Sequence, residues 1–220
     1  MRRLNFFYSV VVAIALPLMI ITFSSALVLN LPSSYQFHFN DSQAINRIQY
    51  NLEASEVNKK ISLYLLPVTG TEFQLYEDNG DFKDPVFTSE EQQAMRKLKK
   101  FVAIDWGVAI LSTLCFAGAY YYLYKNKFKE ALRNRYRLGI GIFGVIFAIT
   151  NVILLSSKLR HWLYNGIIGV NLPKKSTLTI LLGDPSYQTY CIFFAGTCLV
   201  VVSLLSYMNF KLTKPERIFY

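Results

Sequence analysis

Few side chains among these 220 residues can move a proton or attack a carbonyl. There are two histidines, His38 and His161. His161 stands in Lys158-Leu159-Arg160-His161-Trp162, just past an uncharged block, where an imidazole meets a bilayer surface partly shielded from water. Imidazole is the side chain best matched to proton transfer near pH 7. Two readings of His161 stand side by side: a general acid or base, or an interfacial ring that only hydrogen-bonds the structure around it. Asp105 lies five residues into another apolar block, and an ionisable group there is costly enough to suggest function. Its structural alternative is a salt bridge to Arg160 or Arg96. A His161–Asp105 pair would orient the ring and stabilise its charged form. Cys115, Cys191 and Cys198 all fall inside apolar blocks, which argues against both a disulfide framework and a Cys/His metal site. No metal and no cofactor is expected. Gly-x-Ser-x-Gly, Walker and His-Glu-x-x-His patterns are absent from the sequence, so soluble-enzyme templates do not apply.

The elements that must position these groups are set by composition. Hydrophobic residues make up 53% and charged residues 17%, against about 25% charged in an ordinary soluble domain. The apolar residues gather in four blocks. Residues 6–29 hold no charge, and a hydrocarbon core of about 30 Å needs about 20 such residues. That block follows Arg2 and Arg3 as a signal peptide would, and Ser25-Ala26 resembles a cleavage site. A signal h-region, however, runs to only about 7–15 residues, so an uncleaved span is the reading. Residues 101–124 carry Asp105 alone, and residues 138–157 and 185–210 carry no charge. The fold class is an all-α membrane protein: four transmembrane helices with a small extracellular cap containing both helix and strand.

Orientation follows from the basic residues. Residues 125–137 contain Lys125, Lys127, Lys129, Arg133, Arg135 and Arg137 against the single acid Glu130, the signature of a cytoplasmic loop. With four spans, both termini (from residue 1, and 211–220) fall on that same side. Residues 30–100 and 158–184 then lie outside. The net charge of +9 belongs largely to the inner flank, so the partner it implies is the membrane and not nucleic acid. Localisation is the cell membrane, multi-pass.

The outer segment 30–100 is too long for a bare connection. Tyr35 to Phe39 alternates like a short strand, and Asp41 and Ser42 are placed to cap a helix bearing Ala44, Ile45, Ile48 and Leu52. Residues 61–67 are apolar but too short to span. Residues 72–76 suggest another strand, with Asn79-Gly80 as a turn. Thr88 and Glu91 form a capping box that opens a helix, and no Pro or Gly before Trp106 stops it from running on into span two. In the second outer segment, residues 162–172 are uncharged and too short to cross, which suggests a re-entrant or interfacial excursion. Residues 178–182 dip again. Tyr120, Tyr121, Tyr122 and Tyr124 read as an inner aromatic belt without chemistry. Tyr50, Trp106, Trp162, Tyr164 and Tyr187 gather at the outer interface, as a belt or as a binding surface. Gly139, Gly141 and Gly144 read as close helix packing.

Three stretches, in this order and spacing, resemble the lipoprotein intramolecular transacylase (Lit) family of bacterial membrane proteins. They are Ile48-Gln49-Tyr50-Asn51; Phe87-Thr88-Ser89-Glu90 with Met95, Leu98, Lys99 and Phe101; and His161-Trp162-Leu163-Tyr164 with Asn171-Leu172-Pro173 and residues 181–187. The resemblance implies four spans, a cap after the first, and a site that uses two histidines. It puts the second histidine at His161 and the first at Ala94, which cannot exchange a proton. An acid expected near position 97 is Lys97, and an aromatic expected before the second histidine is Arg160. The implied reaction moves an acyl chain from the sn-2 ester of a diacylglyceryl group to the α-amino group of the same lipoprotein's N-terminal cysteine. His161 and Asp105 are then the catalytic candidates, with Tyr50, Asn51, Ala94, Trp106, Trp162 and Tyr164 around the substrate. Losing one general acid or base costs about 10²- to 10⁴-fold, so a non-catalytic relative that binds lipid or lipoprotein stands beside the enzyme. A transporter is a third class, but a single intramembrane charge leaves little for a solute path.

Overall fold

Each uncharged block falls on a long helix in the computed structural model, the third running two residues past its helix's end, and the structure describes residues 2–48, 50, 52–70, 72–79, 82–159, 162, 166 and 176–214. The long helices are α1 (Arg2–Leu29), α5 (Ser89–Lys125), α6 (Lys129–Leu155) and α8 (Asp184–Thr213). Short elements lie between them in the chain: α2 (Pro32–Ser42), α3 (Ala44–Arg47), α4 (Ala54–Leu65), β1 (Tyr76–Asn79), β2 (Phe82–Pro85) and α7 (Thr177–Leu182). Four candidate spans, by length and composition, make this a multi-pass membrane protein. As its sequence predicts, α5 is one unbroken helix of 37 residues. At 1.5 Å per residue it is about 55 Å long, well beyond a hydrocarbon core of about 30 Å.

The chain divides into two compact units. The first comprises residues 1–25, 107–150 and 195–220; the second comprises 26–106 and 151–194.

In the first unit, α6 turns Leu132, Tyr136, Gly139 and Phe143 inward, at helical spacing. Gly139 permits a close approach, because a Cβ there would lie 3.0 Å from Leu16 Cδ2 and 3.2 Å from the Ala13 carbonyl oxygen. Gly141 and Gly144 do not share this role, since a Cβ on either would meet nothing within 4 Å. They face away from Leu132 and Gly139, which three glycines in a row of sequence do not reveal. The tyrosines also divide. Tyr121 and Tyr124 are exposed, as belt residues are. Tyr120 instead donates to Asn209 Oδ1 (3.1 Å), and Tyr122 donates to Asn5 Oδ1 (3.4 Å) while stacking on Tyr8. Tyr136 and Ser206 share a bond of 3.0 Å. Helices in lipid lack a hydrophobic drive to associate, and interhelical hydrogen bonds of this kind supply part of the attraction.

The stretch 125–137 is mostly helix. Only residues 126–128 turn the chain, with Phe128 N bonded to Leu123 O and Lys127 N to Tyr124 O in the pattern of a Schellman C-cap. Lys127 occupies the left-handed position at φ 62°, where glycine is usual.

In the second unit, Tyr35 to Phe39 is helix and not strand. Pro32 opens α2 at a position where its missing N–H costs nothing, and Tyr35, His38 and Phe39 fall on one buried face while Phe37 is exposed. Alternation over five residues satisfies both periods, and the proline decides. Asp41 and Ser42 lie inside α2, so they do not cap the next helix. Gln43 makes the break with φ 50°, and α3 is a single turn. α4 packs on α2, with Asn58 Nδ2 donating to Gln36 Oε1. The predicted strand at 72–76 is displaced. The strands pair antiparallel from Tyr76↔Pro85 to Asn79↔Phe82, so the Asn79-Gly80 turn signal sits at the hairpin end, and Gly80 lies outside the described residues. The core of this unit joins α2, α4, the hairpin approaches, the first turns of α5, and α7.

Two stability changes test these contacts. Gly139→Leu should lower the thermal unfolding midpoint of the detergent-solubilised protein, by the equivalent of about 1–3 kcal/mol for overpacking, while Gly141→Leu should leave it unchanged. Lys127→Gly should raise it, by about 1 kcal/mol of relieved left-handed strain.

Candidate functional site

Within the second unit the polar groups buried in the apolar core are few, and two of them act on α7. Glu91 is 1% exposed. It is the third residue of α5, so its side chain reaches back over the first turn. Oε2 accepts from Thr88 N at 2.8 Å and from Thr88 Oγ1 at 3.1 Å, while Glu91 N donates to Thr88 Oγ1 at 3.3 Å. This is the capping box that the sequence predicts. The other oxygen, Oε1, accepts from Leu178 N at 2.8 Å, in the first turn of α7. One carboxyl group therefore satisfies backbone donors at the N-termini of two helices 87 residues apart.

The segment leading into Thr88 is held by a side chain that imitates a strand. Gln74 Nε2 donates to Phe87 O at 3.0 Å, and Gln74 Oε1 accepts from Phe87 N at 3.0 Å. This extends the hairpin pairing past Val86 N, which donates to Leu75 O. Phe87 is buried against Phe73, with ring centroids 4.5 Å apart.

His38 acts at the other end of α7. It is 2% exposed, and its Nε2 lies 3.0 Å from Leu181 O. A carbonyl oxygen only accepts, so Nε2 carries the proton. Ser176 caps the same short helix, accepting from Thr179 N at 3.2 Å. Gly183 closes it, since a Cβ there would lie 2.1 Å from the Thr179 carbonyl oxygen. Close by in the sequence, Tyr35 donates to Leu29 O at 2.6 Å, and burial, with Tyr190 adding to it, raises its pKa far above the ordinary tyrosine value. Burial raises Tyr64 as well, partly offset by Arg96.

The residues singled out from sequence fall in three groups. Ala94 is fully buried one turn beyond Glu91, and Tyr50 and Trp106 pack half-buried against the same core. Asp105 is half-buried beside Trp106, with its Oδ2 enclosed. Trp162 is not part of that cluster, being 73% exposed. His161, Asn51 and Tyr164, together with Arg160, Asn171 and Pro173, lie outside the described residues. Among the described residues there is no group of three or more His, Cys, Asp or Glu that could hold a metal ion. Sequence reasoning found Glu91 as a cap but not its bond to Leu178, and it gave His38 no role. The local signal for Glu91 is complete within four residues, whereas the contacts to α7 span 87 and 143 residues.

Removing the Glu91 carboxyl strands the N–H groups of Thr88 and Leu178 in an apolar core. Glu91→Ala should cost on the order of 3 kcal/mol or more, and Glu91→Gln less, because one amide oxygen still accepts. Hydrogen exchange at residues 177–182 should accelerate in Glu91→Ala before the protein unfolds globally. Unchanged exchange there would detach Glu91 from α7.

The fold and chain length have solved counterparts. Three crystal forms or variants of the membrane-integral lipoprotein intramolecular transacylase Lit from Bacillus cereus match this chain. A variant with one histidine replaced by alanine matches at TM-score 0.74 and 15% identity, over 99% of this chain and 97% of that one. Another structure of that protein matches at TM-score 0.70 and 15% identity, over 96% and 98%. A third, with the histidine replaced by arginine, matches at TM-score 0.66 and 16% identity, over 95% and 93%. No curated protein sequence matches the chain. At such identities the structures speak for the fold alone, but the family model for lipoprotein intramolecular transacylase Lit covers residues 10–162, most of the chain, and so the chain belongs to the Lit family.

Proposed function

We propose that this protein is an intramolecular acyltransferase of the bacterial cell membrane. It moves an acyl chain from the sn-2 ester of a diacylglyceryl group to the α-amino group of the N-terminal cysteine of the same lipoprotein. The observation that carries this reading is the family match over residues 10–162 together with a fold shared over nearly the whole length.

The chemistry asks little of the protein. The amine attacks the ester carbonyl, the C–N bond forms, the ester C–O bond breaks, and the proton lost by nitrogen is the one that the glyceryl oxygen must gain. Both reacting groups belong to one substrate, so the protein's share is to fold it, bring amine and ester to about 3–3.5 Å, and carry that proton. One imidazole suffices in principle, because a base that takes the amine proton becomes the acid that protonates the leaving oxygen. His161 is assigned this role, with Asp105 orienting the ring and Tyr50, Asn51, Trp106, Trp162 and Tyr164 around the lipid. The site faces the extracellular side, with both termini in the cytoplasm, an orientation supported by the basic density of 125–137.

Ala94 favours a second reading, a relative that binds lipid or lipoprotein without turning it over. The alanine is fully buried among core side chains, so position 94 offers no proton, and a larger group there must displace packed neighbours.

Mass spectrometry of a lipoprotein's N-terminal peptide, in a host that makes diacylated lipoproteins, separates the readings. The enzyme should generate N-acylated, lyso-glyceryl peptide, and His161→Ala should reduce it by about 10²-fold or more. Ala94→His should raise it, by at most about 10²-fold, with overpacking of the core subtracting from the gain. Product unaffected by His161→Ala would remove His161 from the mechanism. No product from either the wild type or Ala94→His would favour the binding protein.

A further inference from the structure

Residues 61–70 run without a charge and are too few to cross a bilayer. They form the second half of α4 and the turn after it, and the exposed side chains change character along the way. Around the start of α4 they are Glu53, Ser55, Glu56 and Lys59; at its end and beyond they are Leu63, Pro67 and Val68. Val68 is 95% exposed and Leu63 44%. The opposite face ties the segment to its unit, since Ile61, Tyr64 and Leu65 are buried in the core. Exposed groups thus pass from charged to apolar toward one end of the helix, and the surroundings of that end decide what the apolar tip meets.

Lys99 sets the level of the tip. Its Nζ donates to Thr69 O and stands 4.6 Å from the centre of the Tyr64 ring. Lys99 lies two residues before Phe101, where the apolar run of α5 begins, a separation of about 3 Å along the helix axis. The headgroup layer on each side of a hydrocarbon core is about 5–7 Å deep, so the turn stands at the level of lipid headgroups. Beyond Lys100 the exposed side chains of α5 are apolar, beginning with Phe101 and Ile104. The chain then leaves this level, because Phe73 packs on Phe87 at the entrance to α5. The backbone of the turn is also prepared for a medium poor in water, where an unmet carbonyl is costly. Leu63 O accepts from Leu66 N at 3.2 Å, Leu66 O accepts from Thr69 N at 3.3 Å, and Thr69 O accepts from Lys99. Thr69 Oγ1 lies 2.6 Å from Leu63 O and 2.9 Å from Leu66 O, its one proton shared between them.

We propose that the turn 66–70 is seated in the headgroup layer of the leaflet nearest it, with Val68 and Leu63 against the upper acyl chains and Lys99 fixing the depth. The occupant of the apolar tip is the bilayer that the protein already spans, and not a second protein. A lipid surface explains together why the exposed side chains turn apolar toward the end of α4 tied beside the start of the span, and why the carbonyls there are met from within. The contact attaches the segment between α1 and α5 to the membrane at a point besides the spans, and it does not depend on acyl transfer.

Tryptophan fluorescence of the full-length protein in phosphatidylcholine vesicles tests this. Val68→Trp and, as a control at an exposed charged position of α4, Lys59→Trp each add emission to that of Trp106 and Trp162, and the added part is read by difference from the wild type. Phosphatidylcholine brominated near the headgroup end of its chains should remove most of the emission added at position 68 and little of that added at 59, while acrylamide in the water should do the reverse. In Val68→Trp/Lys99→Met, where the turn has lost its tie, the added emission should lose bromolipid quenching and gain acrylamide quenching. Acrylamide quenching at 68 equal to that at 59 would overturn the proposal by placing the tip in water. Quenching at 68 by neither agent would overturn the bilayer as occupant and point to a protein contact, a second copy of this chain included. Bromolipid quenching unchanged by Lys99→Met would overturn Lys99 as the group that sets the depth.

Discussion

A carboxyl group buried to 1% exposure in an apolar core is expensive unless every lone pair in reach meets a donor, and Glu91 is placed so that its donors are backbone groups that would otherwise be stranded. Thr88 N and Leu178 N belong to helix entrances, where the first N–H groups have no partner within the helix. The placement of α7 depends on this bond. A helix of six residues cannot persist by itself, since nucleation is unfavourable and few internal bonds repay it. Its stability must come from what it touches: Leu178 and Leu181 in the core, Glu91 at its first turn and His38 at its last. The polarity suits the helix dipole, with an acid at the amino end and an imidazole N–H at the carboxyl end. Gly183 then lets the chain pass so close to the Thr179 carbonyl that α8 begins at once.

Ala94 acquires its meaning from the same arrangement. It lies one turn past Glu91 on a helix whose start is fixed by both the capping box and α7. A larger side chain at 94 must therefore displace packed neighbours, because α5 is not free to shift. The position is filled by the smallest residue that still favours a helix, and the surrounding Phe87, Met95 and Leu178 are among the most completely buried side chains.

What the sequence made legible and what it hid separate by range of contact. The spans could be read because 20 or more uncharged residues have little choice in a chain this apolar, and the unbroken α5 because nothing between Ser89 and Trp106 stops a helix. The capping box was legible because both partners sit within four residues. Tyr35 to Phe39 misled because five alternating residues fit a strand and a helix face alike, and the deciding signal, Pro32, lies outside them. The inner tyrosines misled differently. Adjacent positions on a helix point about 100° apart, so Tyr120 and Tyr122 bond to other helices while Tyr121 and Tyr124 face outward, a division invisible to a rule that counts aromatics near a membrane boundary. The contacts that anchor α7 were out of reach altogether, as no local pattern joins His38 to Leu181.

The division of charge bears on the proposed acyl transfer. Acyl transfer from an ester to an amine moves a proton from nitrogen to oxygen and leaves the total charge unchanged. A surrounding with balanced formal charge does not pull that proton in either direction, and a large fixed field would. The second unit meets this condition, with its acids and bases equal in number and the buried carboxyl of Glu91 held by the backbone donors of Thr88 and Leu178. The first unit is the opposite, carrying the whole +9. That balance suits the proposed mechanism, because an excess of cations near the reacting amine would disfavour the protonated imidazole that it forms in mid-reaction.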